Sequence, residues 1–199
     1  MAAAGRWIAA AGRRLRGAGA CLLLAALAAC ASLPQPGAVG PGAFSRTGRF
    51  AITVTAADGA LQAVQGGFTW RDDGSRYLLD LTNPLGAIEA RVEGQPGAAT
   101  LTRANGSRVQ AADPDALAED ALGSPVPVGG LRDWLRGRLA EAPAAERLQR
   151  DEQGRPTGFA QGGWQARLSR YDALGPQLLM LERQEADRRI VVRLVVNPQ

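Results

Sequence analysis

From Arg49 onward the sequence repeats one unit, a short run of alternating apolar and polar residues closed by a turn signal. Residues 49–55 place Phe50, Ile52 and Val54 on one side, the period-two signature of a strand with one buried face. Asp58-Gly59 then supplies a hairpin turn. Further strands are predicted over 61–70, 77–81, 88–93 and 99–103, with turns at Arg71-Asp72-Asp73-Gly74-Ser75, Gln95-Pro96-Gly97 and Asn105-Gly106. The alternation resumes near Glu146 and runs through Phe159, 164–168, 178–182 and 189–196, where Ile190, Val192, Leu194 and Val196 share a face. The count is about eleven strands, spaced as in an antiparallel meander.

Two helices interrupt the strands. Asp113-Pro114-Asp115 gives an N-cap with proline at the first helical position, and Gly123 gives a stop. A second helix is predicted over 130–140, with Leu131, Trp134, Leu135 and Leu139 on one face. A sheet of this length curls, and two amphipathic helices at its mouth either complete a solid core or roof an apolar hollow. Large apolar side chains, among them Phe50, Phe68, Trp70, Trp134, Phe159, Trp164 and Met180, are spread thinly among many Ala and Gly, which favours the hollow.

Ahead of the strands, Arg6, Arg13, Arg14 and Arg16 precede an apolar run over 17–29 that ends in Leu27-Ala28-Ala29-Cys30. This is the pattern of a bacterial lipoprotein signal, and the run is shorter than the roughly 20 residues of a membrane helix. Residues 1–29 are therefore read as a cleaved leader, Cys30 as the acylated first residue, and 30–47 as a flexible tether rich in Ala, Gly and Pro. Four of the 23 basic residues leave with the leader, so nineteen remain against nineteen acids and the apparent basicity disappears. No Lys/Arg run survives to track phosphates, which argues against nucleic acid as a partner. Cys21 leaves with the leader and Cys30 carries lipid, so no disulfide is expected.

Between two strands stands Thr82-Asn83-Pro84-Leu85-Gly86, whose Asn, Pro and Gly fit a type I turn. Leu85 falls at its tip. Either it folds back onto the sheet edge or it projects as a probe, and burying one leucine in lipid is worth about 1.5–3 kcal/mol.

These residues carry a family resemblance. Phe50 after Gly48-Arg49, the Gly67-Phe68-Thr69-Trp70 strand, the run from Leu78 through Gly86, Gln95-Pro96-Gly97, and Pro125-Val126-Pro127 ahead of Leu131-Arg132-Asp133-Trp134 resemble the LolB family of outer-membrane lipoprotein receptors. The resemblance spans residues 48–199 and implies a mainly β fold: an unclosed antiparallel barrel of eleven strands, with two or three helices over its opening and a lipocalin- or LolA-like hollow. It implies a monomeric, chaperone-like receptor that takes acylated lipoproteins from the periplasmic carrier LolA and inserts them into the lipid of the outer membrane without nucleotide, metal or cofactor. It also implies an anchor at Cys30 facing the periplasm, and Ala31 is compatible with outer-membrane sorting. The membrane-insertion loop would be Pro84, Leu85 and Gly86. Phe50, Ile52, Phe68, Trp70, Leu79, Leu81, Trp134, Trp164 and Met180 would line the acyl-chain cavity. Enteric members carry a polar helical segment between anchor and first strand; the Ala/Gly/Pro tether stands in its place here.

The residues give little support to catalysis. The sequence has no histidine, and beyond Cys30 no free cysteine, which removes His-assisted triads and most transition-metal sites. Asp72-Asp73 and Asp151-Glu152 fall in predicted turns. A structural or assembly lipoprotein that binds another envelope protein through its sheet edge is the alternative reading.

Overall fold

The computed structural model describes residues 43–198, so the expected leader, the expected acylation at Cys30 and the expected tether as far as residue 42 fall on residues outside those described. All the described elements fall within one unit, Gly40–Gln199. Six strands come first: β1 (Phe44–Ala56), β2 (Leu61–Asp72), β3 (Tyr77–Thr82), β4 (Ile88–Gln95), β5 (Ala98–Arg103) and β6 (Arg108–Ala111). Two helices follow, α1 (Pro114–Leu122) and α2 (Val128–Trp134), and then β7 (Glu146–Arg150), β8 (Pro156–Gln161), β9 (Trp164–Tyr171), β10 (Pro176–Gln184) and β11 (Arg188–Val196).

All eleven strands join one antiparallel sheet in the order β6-β5-β4-β3-β2-β1-β11-β10-β9-β8-β7. Each half is a meander, and the two halves meet where β1 pairs with β11, from Gly48 opposite Val196 to Ala56 opposite Arg188. β6 and β7 are the two edges, and they do not pair, so the barrel stays open. The alternation read in the sequence is the alternation of burial. Phe50, Ile52 and Val54 on β1 and Ile190, Val192, Leu194 and Val196 on β11 point to one buried face, and the residues between them point outward.

The helices cover that face. Asp113 caps α1 by accepting from the Asp115 N–H at 2.9 Å, and Gly123 closes it in the left-handed conformation. α2 is shorter than its apolar spacing predicts. It ends at Trp134, and the chain then turns through Gly137 at φ 69°, where the Gly137 N–H bonds the Trp134 carbonyl at 3.0 Å. Leu135 stays in the core while the backbone leaves the helix.

The boundary between tether and domain also moves. β1 begins at Phe44, so residues 44–47, read from sequence as tether, belong to the sheet. The cause is Arg46, which is fully buried on the inner face. Its guanidinium makes two 2.9 Å bonds to the Asp172 carboxylate and reaches the carbonyls of Gly175 and Pro176 at 3.3 and 2.9 Å. Burial pushes the Asp172 carboxyl up, but Arg46 and the N–H groups of Leu174 and Gly175 outweigh it and hold the group below its ordinary value. A carboxyl lowered in the fold stabilises above its ordinary pKa and loses that contribution as pH falls through the lowered value. Arg46→Ala is expected to lower the unfolding free energy by about 3 kcal/mol, because it strands a carboxylate and two carbonyls. Urea denaturation checks this as a fall in midpoint at unchanged slope.

Candidate functional site

The space between sheet and helices is lined entirely by apolar side chains. Phe50, Ile52, Phe68, Trp70, Leu79 and Leu81 come from β1, β2 and β3, and Val192 and Leu194 from β11. Leu122, Val126, Leu131 and Leu135 close it from the helical side. The remaining void is narrow, about 20 Å³, close to the room one water needs. Gly66 lets the strands and the Phe50 ring approach, since a Cβ there would meet the Thr82 carbonyl oxygen at 2.0 Å and Phe50 at 3.0 Å.

The roof is held by polar contacts at its rim. Asp72, buried at the end of β2, accepts from Arg132 at 2.9 and 3.1 Å and pairs with Arg136 at 3.1 Å. Arg136 also lies over the Phe44 ring, 4.0 Å from its centroid. Burial raises the Asp72 carboxyl, yet Arg132, the Gly74 N–H and Arg136 together hold it below its ordinary value. Asp115, in the first turn of α1, accepts from the Gly129 N–H at 2.8 Å and fixes the corner between the helices. Trp134 anchors α2 to β8: its indole N–H donates to Gln161 at 2.9 Å and its ring meets Phe159 edge-on.

Two donors near the void have no partner among the described residues, the Trp70 indole N–H and the Tyr77 hydroxyl. The two rings stack, with centroids 4.9 Å apart. Burial raises the Tyr77 hydroxyl far above its ordinary pKa, so it stays protonated.

The loop between β3 and β4 presents Leu85 to solvent at 94% exposure. The turn read from sequence forms, with the Gly86 N–H bonding the Asn83 carbonyl at 2.9 Å. The Asn83 side chain holds it from inside, accepting from the N–H groups of Leu85 and Ala87 at 3.0 and 3.1 Å. Gly86 takes φ 90°, which suits glycine, and Asn83 donates to Glu89 at 2.7 Å.

Of the nine residues read as cavity lining, Phe50, Ile52, Phe68, Trp70, Leu79 and Leu81 meet at the void. Trp134 and Trp164 are buried but do not border it. The expectation for Met180 is overturned. Met180 stands opposite Arg193 and Arg167 on the outward side of β10, whose inner face carries Leu179 and Leu181. Apolar residues on both sides of Met180 hide the register in the sequence. Leu122, Val126, Leu131, Leu135, Val192 and Leu194 also line the void, and the sequence reading does not single them out as lining. Helical spacing and strand alternation nonetheless mark most of them as inward-facing. Among the described residues no helix is long and apolar enough to cross a membrane.

The family model for "Outer membrane lipoprotein LolB" matches residues 42–198. Proteins named outer-membrane lipoprotein LolB are similar along most of their length. That of Bordetella pertussis is 72% identical over 177 residues, covering 88% of this chain and 89% of the relative. That of Cupriavidus necator is 40% identical over 156 residues, covering 77% and 78%. A crystal structure of a LolA superfamily protein from Nitrosomonas europaea aligns over 77% of this chain and 84% of its own, with a TM-score of 0.41 and 12% identity.

The Asp72 clamp makes the roof sensitive to acid. Its carboxyl is lowered in the fold, so the clamp contributes fully above the ordinary value of 3.8 and is lost as pH falls through the lowered value. The unaltered protein is expected to bind more of a hydrophobic fluorophore in acid, and Asp72→Asn to raise binding at neutral pH and flatten that rise. Fluorescence titration across that range checks it.

Proposed function

The chain belongs to the LolB family of outer-membrane lipoproteins, and from that premise we propose that it accepts the acyl chains of lipoproteins from a LolA-type periplasmic carrier and passes them to the outer membrane. The observation that carries the reading is the all-apolar interior roofed by two helices that are pinned through polar contacts at their rim. Acyl chains enter this interior by taking the places of Leu122, Val126, Leu131 and Leu135 against the sheet. Each methylene withdrawn from water is worth about 0.8 kcal/mol, and the helix contacts given up offset part of that gain. The exchange is therefore close to balanced, and about 1.4 kcal/mol between carrier and receptor gives a tenfold forward bias without nucleotide. Trp70 and Tyr77 supply hydrogen-bond donors for the ester carbonyls that accompany the chains.

Delivery falls to the Leu85 loop. One leucine in hydrocarbon contributes about 1.5–3 kcal/mol, enough to bias an encounter and too little to hold the domain down. Acylated Cys30 keeps the domain at the periplasmic side of the outer membrane, where repeated brief contacts suffice.

Two experiments test this. Mixed with carrier loaded with a lipoprotein, the protein is expected to acquire the cargo, and cargo that stays on the carrier would sink the receptor reading. Leu85→Glu is expected to accept cargo nearly as well as the unaltered protein and to release it into liposomes several-fold more slowly. Equal losses in both steps would show that the loop does not act at the membrane.

A further inference from the structure

The outward face of the sheet carries an open groove of about 540 Å³ beside the Leu85 loop. Asn83, Pro84 and Gly86 form one wall, and Arg49 on β1 and Arg193 on β11 line the other side. The β1–β11 register sets Arg49 opposite Val195 and Ala51 opposite Arg193, so the two arginines are diagonal neighbours, about 7–8 Å apart at the backbone. The floor is kept low by small residues: a Cβ on Gly67 would meet the Thr82 hydroxyl at 2.5 Å.

The charge in this groove is positive. Both arginines are exposed, neither has a hydrogen bond or ion pair among the described residues, and no Asp or Glu lines the groove. Glu89, at the root of the loop, is engaged by Asn83 and lies outside the lining. The carboxylate diagonal to Arg193 across the β10–β11 pairing, Glu182, is taken by Arg189, which bonds it at 2.8 and 2.9 Å. Two cationic side chains lining one groove repel, and an anion bound between their planar forks relieves that repulsion.

We propose that Arg49 and Arg193 bind the phosphate of an anionic phospholipid headgroup, beside Leu85, so that one approach to the bilayer engages both. An apolar tip next to a cationic groove matches the order of hydrocarbon and phosphate layers at a membrane surface. The proposal rests on Leu85 as a membrane probe, but the two are separable by experiment.

The test uses the unacylated chain from residue 31, which keeps the whole of the Gly40–Gln199 unit, in co-sedimentation with vesicles of phosphatidylcholine alone or mixed with phosphatidylglycerol. The unaltered chain is expected to prefer the anionic vesicles on the order of ten- to thirtyfold. Arg49→Gln with Arg193→Gln should abolish most of that preference and leave binding to neutral vesicles unchanged, with thermal unfolding showing an intact fold. Arg71→Gln with Arg108→Gln, an equal change in net charge, should keep the preference. Leu85→Ala should weaken binding to both vesicles and keep their ratio; a Leu85→Ala chain that binds neutral vesicles normally would count against the loop, while the ratio still judges the groove. A preference that survives loss of Arg49 and Arg193, or that falls equally in the Arg71/Arg108 variant, overturns the proposal. So does a groove variant that binds vesicles normally yet fails to take cargo from the carrier, which would assign the arginines to a protein contact.

Discussion

An eleven-stranded sheet with one apolar face and no closure cannot satisfy itself. A closed barrel covers its inner face with its own strands, whereas here β6 and β7 end as free edges and the inner face needs a separate cover. Residues 114–139 supply it, and nearly everything else in the domain follows from how that short segment is fastened. Its apolar residues meet the sheet; Asp72 with Arg132 and Arg136 and the buried Trp134–Gln161 bond fasten it there, and Asp115 with Gly129 joins its two helices. The fastening is polar, while the void beside it is lined only by apolar side chains. In the proposed exchange such a roof separates cleanly, because opening it breaks a few directional contacts and leaves behind a surface that acyl chains wet as well as leucine does.

Much of this is legible in the sequence. Strands with one buried face are marked by alternation, and the Asp113-Pro114 cap and Gly123 stop locate α1 to the residue. The turn at Asn83 is equally local, since proline and the Asn side chain determine it without help from distant residues. What stays hidden depends on register or on long-range partners. Met180 sits in an apolar run whose period is obscured by Leu178, Leu179 and Leu181, so only pairing with Arg167 and Arg193 reveals its outward side. Arg46 reads as the single charge of a loose tether because its partner, Asp172, lies 126 residues away. Apolar spacing overstates the length of α2 because it persists to Leu139 after the backbone has turned at Gly137.

The narrowness of the void bears on how the proposed affinity gradient would work without an energy source. A large preformed hollow would bind acyl chains tightly and release them poorly. In the proposed exchange a nearly filled interior would regain helix contacts when cargo leaves, so the empty state is itself stabilised and release becomes less costly. The same balance accounts for a lining that is apolar throughout with two unpaired donors, at Trp70 and Tyr77, close by. Unpaired buried donors cost stability in the empty protein, and a cargo carbonyl that satisfies them recovers the cost only while bound.

In the proposed delivery step the Leu85 loop depends on rigidity in a way that acceptance does not. An exposed leucine on a mobile loop would lose conformational entropy on entering a bilayer, which would consume much of a contribution of only about 1.5–3 kcal/mol. Here the turn is fixed beforehand by proline, by the Asn83 side chain bridging two backbone N–H groups, and by Gly86 in the conformation that closes it. The strands at its base pair with each other, β3 also with β2 and β4 also with β5, so the tip is carried by the sheet. A weak contact made by a preorganised group loses little of its free energy to ordering, and it remains weak enough to break once cargo has left.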